Sequence, residues 1–286
     1  MTSIHISDPD RRIGPQRLMR RLILGACAIA VLALTAAAPT AGAQATPRRP
    51  TVVLVHGAFA DASSWNGVIA RLRRAGLPVI APANPLRGIA SDAAYVAGVI
   101  KTIPGPVVLV GHSYGGAVIG QAAAGLPNVK ALVFVDAFAL DVGETSQTAG
   151  AKFTNVLLPK ALLTRPFPLP NGQTGTDVYV QPSRFHAVMG ADLPARTTSL
   201  LAATQRPIAQ SAFGEKPTAA AWRTIPSTFV IGRQDRAIDP AELRFMAGRA
   251  HGRTIEINAS HLGLISHAPA VTRVIRSVAR RARTTS

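Results

Sequence analysis

The chain has 286 residues, 48% of them hydrophobic and 16% charged, with 31 Lys+Arg against 14 Asp+Glu for a net charge of +17. That hydrophobic content excludes a disordered chain, and a single cysteine, Cys27, excludes a disulfide scaffold. The length suits one large domain or two small ones, and no self-similar repeat points to a solenoid.

The N-terminus reads as a targeting segment. Arg20-Arg21 precede an uncharged, Ala-rich apolar run from Leu22 to Ala38, and Pro39 and then Ala43-Gln44-Ala45 follow. A basic region, an apolar region and an A-x-A site, in that order, predict a signal peptide over 1–45 and export to the periplasm or beyond. A membrane anchor fits less well, because the run is short and closed by small residues. Arg20-Arg21 also suits a twin-arginine signal, and Met19 would open a signal of ordinary length. Cleavage after Ala45 would remove five Arg, two Asp and Cys27, leaving a cysteine-free chain of net charge +14.

From residue 46 onward, short apolar runs alternate with helical patterns. Strands are predicted at Thr51–Val55, Pro78–Ala81, Val107–Val110, Ala131–Val135, Ser227–Ile231 and Thr254–Ile257. Such runs, apolar at nearly every position, belong to a parallel sheet covered on both faces. Helices are predicted at Ser64–Ala75, Ser91–Lys101, Tyr114–Ala124, Pro240–Ala250 and Pro269 to about Arg281. The fold class is therefore α/β: a mostly parallel sheet of about six strands flanked by helices, in one domain over 46–286.

Between about 140 and 222 the rhythm breaks. This stretch is rich in proline and shows no buried strand, only short helical patterns at Ala151–Leu163, Arg184–Met189 and Ala195–Thr204. A structureless loop of that length is implausible, so a helical cap inserted between two strands is expected. The basic residues are scattered, apart from Arg273, Arg276, Arg280, Arg281 and Arg283 near the end. No aromatic residues interleave with them, which argues for a solvated surface and against a specific nucleic-acid partner. Weak association with anionic surfaces is compatible with that charge.

Four short segments carry chemistry. Gly111-His112-Ser113-Tyr114-Gly115 fits G-x-S-x-G between a strand and a helix, the context of a strained nucleophile turn. His56-Gly57-Ala58-Phe59 follows the first strand, where a backbone N–H of Ala58, or of Phe59 as second choice, would join that of Tyr114 as an oxyanion hole. The side chain of His56 reads as structural. Asp235 follows the strand Ser227–Ile231, and His261 follows Thr254–Ile257. Each candidate sits just past a strand end, so all fall at one edge of a parallel sheet. Asp136 competes with Asp235 as the acid, and His267 with His261 as the base. Asp239, beside Pro240, reads as a helix cap.

With these segments the mature chain resembles the α/β-hydrolase superfamily. The segments are His56-Gly-Ala-Phe-Ala-Asp-Ala-Ser-Ser-Trp65, Val110-Gly-His-Ser-Tyr-Gly-Gly116, Asp235-Arg-Ala-Ile238 and Ala259-Ser-His261. Bacterial esterase-type members are the most similar, and plant methylesterases and hydroxynitrile lyases are similar as well. The resemblance implies a Ser113–Asp235–His261 triad acting on a small-molecule ester through an acyl-enzyme. Gly57 and Leu262 depart from the lyase pattern, and a serine nucleophile departs from the dehalogenase and epoxide-hydrolase branches. Acyl transfer on the same serine and a non-enzymatic binding role are the competing readings. Phe59, Tyr114, Phe138, Phe153, Leu157 and Leu158 are the candidate pocket residues. No metal or organic cofactor is implied, since no Cys/His cluster has ligand spacing.

Overall fold

The computed structural model of the protein describes residues 48–283. The segment 1–45, with its signal-peptide features and Cys27, lies outside them. The first strand, β1 (Thr51–Val55), is buried from its second residue onward, as its unbroken apolar run requires. A 3-10 turn and α1 (Asn66–Arg74) lead to a two-residue edge strand, β2 (Val79–Ile80). Helix α2 (Ile89–Lys101) then returns the chain across the sheet to β3 (Val107–His112). A short helix, α3 (Tyr114–Ala122), and β4 (Val129–Val135) follow.

Helix α2 begins two residues before the Ser91 start expected from the sequence. Its N-terminal cap comes from far along the chain: the Glu215 carboxylate accepts hydrogen bonds from the N–H groups of Ile89 (2.7 Å) and Ala90 (2.9 Å). A carboxylate there answers both the unpaired N–H groups and the positive end of the helix.

The insertion after β4 is not purely helical. It holds α4 (Ser146–Gly150), β5 (Leu162–Pro168), β6 (Thr174–Val180), α5 (Pro182–Met189), α6 (Ala195–Ala203) and β7 (Ile208–Ala209). Strands β5, β6 and β7 form an antiparallel sheet in that order. Pro166 and Pro168 hid β5, because proline argues against an interior strand. β5 is an edge strand, where a missing N–H is tolerated. Its partner shows the alternation expected of a half-buried strand only at Val178 and Val180. Across the pair, Phe167 faces Gly175 and fills the space a side chain would need. The helix expected over Ala151–Leu163 is replaced by irregular chain, a 3-10 turn at Leu158–Ala161 and the start of β5.

The chain then re-enters the main sheet through β8 (Ser227–Gly232), α7 (Pro240–Arg249) and β9 (Arg253–Ile257), and closes with α8 (Gly263–Ser266) and α9 (Ala268–Arg281). All six strands of the main sheet are parallel, in the order β2-β1-β3-β4-β8-β9. Phe134 and Phe229, register partners on β4 and β8, stack with ring centroids 4.7 Å apart. Helix α9 buries Val271, Ile275 and Val278 and exposes Arg273, Arg276 and Arg280, the split expected of an amphipathic helix. From β1 the chain steps outward to β2 and returns on the other side to β3. The sheet order therefore switches direction between β1 and β3, which opens a crevice at their C-terminal ends.

Candidate active site

Ser113 stands in that crevice, between the last residue of β3 and the first of α3. Its backbone is left-handed (φ 53°, ψ −126°), a strained conformation for a residue with a side chain. Surrounding glycines make the turn possible. A Cβ on Gly57 would lie 2.6 Å from the Ser113 Cβ, one on Gly111 would lie 2.6 Å from the Gly115 carbonyl oxygen, and one on Gly115 would lie 2.6 Å from the Val55 carbonyl oxygen. The Ser113 N–H donates to the Asp136 carbonyl (3.1 Å), which ties the turn to the end of β4.

His261 and Asp235 form a buried pair. His261 Nδ1 lies 2.7 Å from Asp235 Oδ2, and both side chains are at most 1% exposed. The other carboxylate oxygen of Asp235 accepts from the N–H groups of Ala237 (2.7 Å) and Ile238 (3.0 Å). With Nδ1 donating to the carboxylate, Nε2 is the nitrogen left to accept a proton. Three contacts hold the His261 loop. His112 Nε2 lies 3.0 Å from the His261 carbonyl oxygen, and the Leu262 N–H donates to Met189 in the cap (3.0 Å). The Ser260 hydroxyl donates to the Asp192 carboxylate. No hydrogen bond joins Ser113 to His261 in this structure; such contacts commonly tighten only with substrate bound.

Asp136 is placed differently from Asp235. It is fully buried at the end of β4, and its Oδ1 accepts from the Gly232 N–H (2.5 Å) while Oδ2 has no partner among the described residues. Burial and the nearby charge of Asp235 hold its carboxyl well above the usual carboxylate range, which favours its neutral form. His267 bonds Ser266 and lies 3.4 Å from Asp192, and it is His261 that contacts Asp235. His56 is structural: Nε2 accepts from the Asn84 N–H (3.0 Å), and Nδ1 donates to the Gly57 carbonyl (3.0 Å). His112 is buried and its pKa is pushed far down by desolvation. Asp239 caps α7, accepting from the Ala241 N–H at 2.9 Å.

Among the oxyanion candidates the structure separates Ala58 from Phe59. The Phe59 N–H donates to the Arg206 carbonyl (3.0 Å), so it is not available to a substrate, which corrects its place as second choice for the oxyanion hole. The Ala58 N–H has no partner among the described residues, and the Tyr114 N–H is one of the first-turn donors that a helix leaves unpaired.

Both backbone segments border a cavity of about 370 Å³. Ser113, Phe59, Tyr114, Phe138, Phe153 and Leu158 line it. Leu157 does not; its side chain packs against the hydrophobic core, and its N–H donates to the Arg236 carbonyl at 2.7 Å. The Tyr114 hydroxyl donates to buried Asp92 (2.9 Å), so its ring, not its phenol, serves the cavity. Ala237, Ile238, Phe213, Leu162 and Glu242 also line the cavity and were not expected from the sequence. The first two stand two and three residues after Asp235, and that proximity is the signal that would have found them. Glu242 falls three residues after Asp239, a capping-box spacing that made it look like part of a helix start. No group of three or more metal-binding side chains occurs among the described residues.

A parallel sheet with this switch point, a serine on a strained strand-to-helix turn and a buried Asp–His pair at the same edge define an α/β-hydrolase fold. The sequence model described as "Alpha/beta hydrolase family" matches residues 52–274, and the chain belongs to that family. The structure is similar to polyneuridine aldehyde esterase, with a TM-score of 0.70 at 19% identity over 81% of this chain and 99% of that one. It is also similar to a pyrethroid hydrolase from Sphingobium faniae JZ-2, with a TM-score of 0.65 at 21% identity over 81% of this chain and 97% of that one. Identities this low speak for the fold alone. A carbendazim hydrolyzing esterase from Nocardioides sp. (strain SG-4G) is 34% identical over 123 residues, which are 38% of this chain and 48% of that protein. The chain thus spans about half the length of that curated relative.

Proposed function

We propose that the protein is a carboxylic ester hydrolase working through an acyl-enzyme on Ser113. The observation that carries this reading is the buried 2.7 Å contact between His261 and Asp235, at the same sheet edge as a serine in left-handed backbone. His261 Nε2 takes the proton of Ser113 as its oxygen attacks the ester carbonyl, and returns it to the leaving alcohol. Asp235 orients the imidazole and stabilises its charged form. The N–H groups of Ala58 and Tyr114 hold the oxyanion, each contributing about 3 kcal/mol in the transition state. Water activated by His261 then releases the acid. The mostly apolar cavity suits an uncharged ester of modest size. Relatives named for hydrolysing esters support the same reading. Residues 1–45 are read as an export signal, and the mature chain as acting outside the cytoplasm.

The test is hydrolysis of short and medium p-nitrophenyl esters, with Ser113→Ala alongside. Turnover is expected from the unaltered chain and should fall to background in the variant. Turnover that survives Ser113→Ala would sink the acyl-serine mechanism.

A further inference from the structure

Glu242 has no part in the proposed reaction, yet it lines the same cavity as Ser113. It stands in the first turn of α7, three residues after the Asp239 cap. At that position a glutamate ordinarily reaches back to the N–H of the cap residue. Here it does not. Asp239 accepts from the N–H groups of Ala241 and Asn155, while Glu242 Oε1 is buried with no hydrogen-bond partner among the described residues. The residue is 3% exposed. Opposite it stands Gly150, where a Cβ would lie 3.3 Å from Oε2 and 3.6 Å from Oε1. Gly150 lines the same cavity, and a side chain there would crowd the carboxyl.

A buried polar atom without a partner is destabilising, and a leucine in its place would fill an apolar cavity without that cost. Oε1 can accept a hydrogen bond when the carboxyl is ionised, and also when it is neutral with its proton on Oε2, so a donor is the partner that fits it. The surroundings favour an uncharged donor. The carboxylates of Asp239, Asp235 and Glu144 and the guanidinium of Arg249 all act on Glu242, and burial together with the nearest carboxylates favours its neutral form. The terminal nitrogens of Arg249 are engaged with Glu144 and the Ala139 carbonyl, and its Nε, buried without a partner among the described residues, makes no hydrogen bond to Glu242.

We propose that Glu242 is a specificity-determining residue that selects esters whose apolar body carries an uncharged hydrogen-bond donor, such as an aromatic amine N–H. The proposal rests on the serine-esterase reading and names a substrate class for that site.

Two methyl esters of equal size test it: methyl 3-(4-aminophenyl)propanoate, which carries the donor, and methyl 3-(4-methylphenyl)propanoate, which does not. The ratio of their kcat/KM values is the readout. The unaltered chain should prefer the amine by roughly tenfold. Glu242→Leu should abolish or invert the preference, and Glu242→Gln, which keeps an acceptor oxygen, should retain part of it. Glu242→Met serves in place of leucine if leucine perturbs folding. Equal rates on the two esters, or a preference that persists in Glu242→Leu, would overturn the proposal while leaving the esterase reading intact. If neither ester is hydrolysed, calorimetric titration of Ser113→Ala with 4-ethylaniline and 4-ethyltoluene reads the same preference without turnover. Tighter binding of the aniline supports the proposal, and equal affinity overturns it.

Discussion

Two carboxylates stand near the end of the sheet, and their surroundings assign them different work. Asp235 touches His261 and accepts two backbone N–H bonds as well. Asp136 accepts from the Gly232 N–H instead, and burial pushes its carboxyl well up. Asp235→Asn should therefore lower kcat on a p-nitrophenyl ester by about 10⁴-fold, because the uncharged amide no longer stabilises the imidazolium and its N–H₂ favours the wrong tautomer of His261. Asp136→Asn, which keeps the acceptor for Gly232, should change kcat by only a few-fold. Equal losses in the two variants would reverse the assignment. Glu242 predicts a pH dependence of stability. Its carboxyl is pushed up to about 8, first by burial and then by the charges of Asp239 and Asp235, against the ordinary 4.5. Between those values the folded state holds a proton that the unfolded state has released. Its contribution is thus full below about 4.5 and is lost as pH rises through 8, at no more than about 1.4 kcal/mol per pH unit. Asp136 adds a slope of the same sign, so the difference from Glu242→Gln isolates Glu242. Unfolding by urea at pH 5 and pH 8 should show the unaltered chain losing more stability than Glu242→Gln; parallel losses would contradict this.

At the level of elements, the site depends on how closely three chain segments approach. Gly57, after β1, lies against Ser113 and against the His112 carbonyl oxygen, where a Cβ would lie at 2.6 and 2.8 Å. Gly57→Ala must push the Ala58 N–H away from the serine turn. A displacement near 1 Å can lower a rate by about 10²-fold, so kcat should fall by that order while the far-UV circular dichroism stays unchanged. Retained activity would show that the loop after β1 does not set the geometry. The cap is tied to the same region by contacts far apart in sequence. Arg87 pairs with Asp177 of β6 at 2.7 Å and also donates to the Pro207 carbonyl, Glu215 caps α2, and the Arg206 carbonyl takes the Phe59 N–H.

For the whole molecule, charge is the feature with a consequence. Helices α1 and α9 pack against each other and set Arg71, Arg74, Arg273 and Arg276 around one surface depression. A face of this kind should adhere weakly to anionic surfaces through long-range attraction. Co-sedimentation with phosphatidylglycerol vesicles should be detectable at low ionic strength and lost by about 0.5 M salt, where the Debye length falls to a few ångströms. Arg273→Gln combined with Arg276→Gln should weaken it. Binding that survives high salt would point to another kind of contact.

Local pattern was enough for much of this. Continuous apolar runs marked the parallel strands, because a strand buried on both faces has no polar side to show. Chain order and position after strand ends singled out Ser113, Asp235 and His261, because a parallel sheet collects its C-terminal loops at one edge. Tertiary structure decided what depends on partners distant in sequence. It made β5 an edge strand in spite of its prolines, since only the neighbour of a strand determines whether its N–H groups are needed. It took the Phe59 N–H away through Arg206 and set Leu157 against the core and off the cavity wall. It also left Glu242 unpaired in the cavity, since only the packed structure shows where a carboxyl lacks a partner.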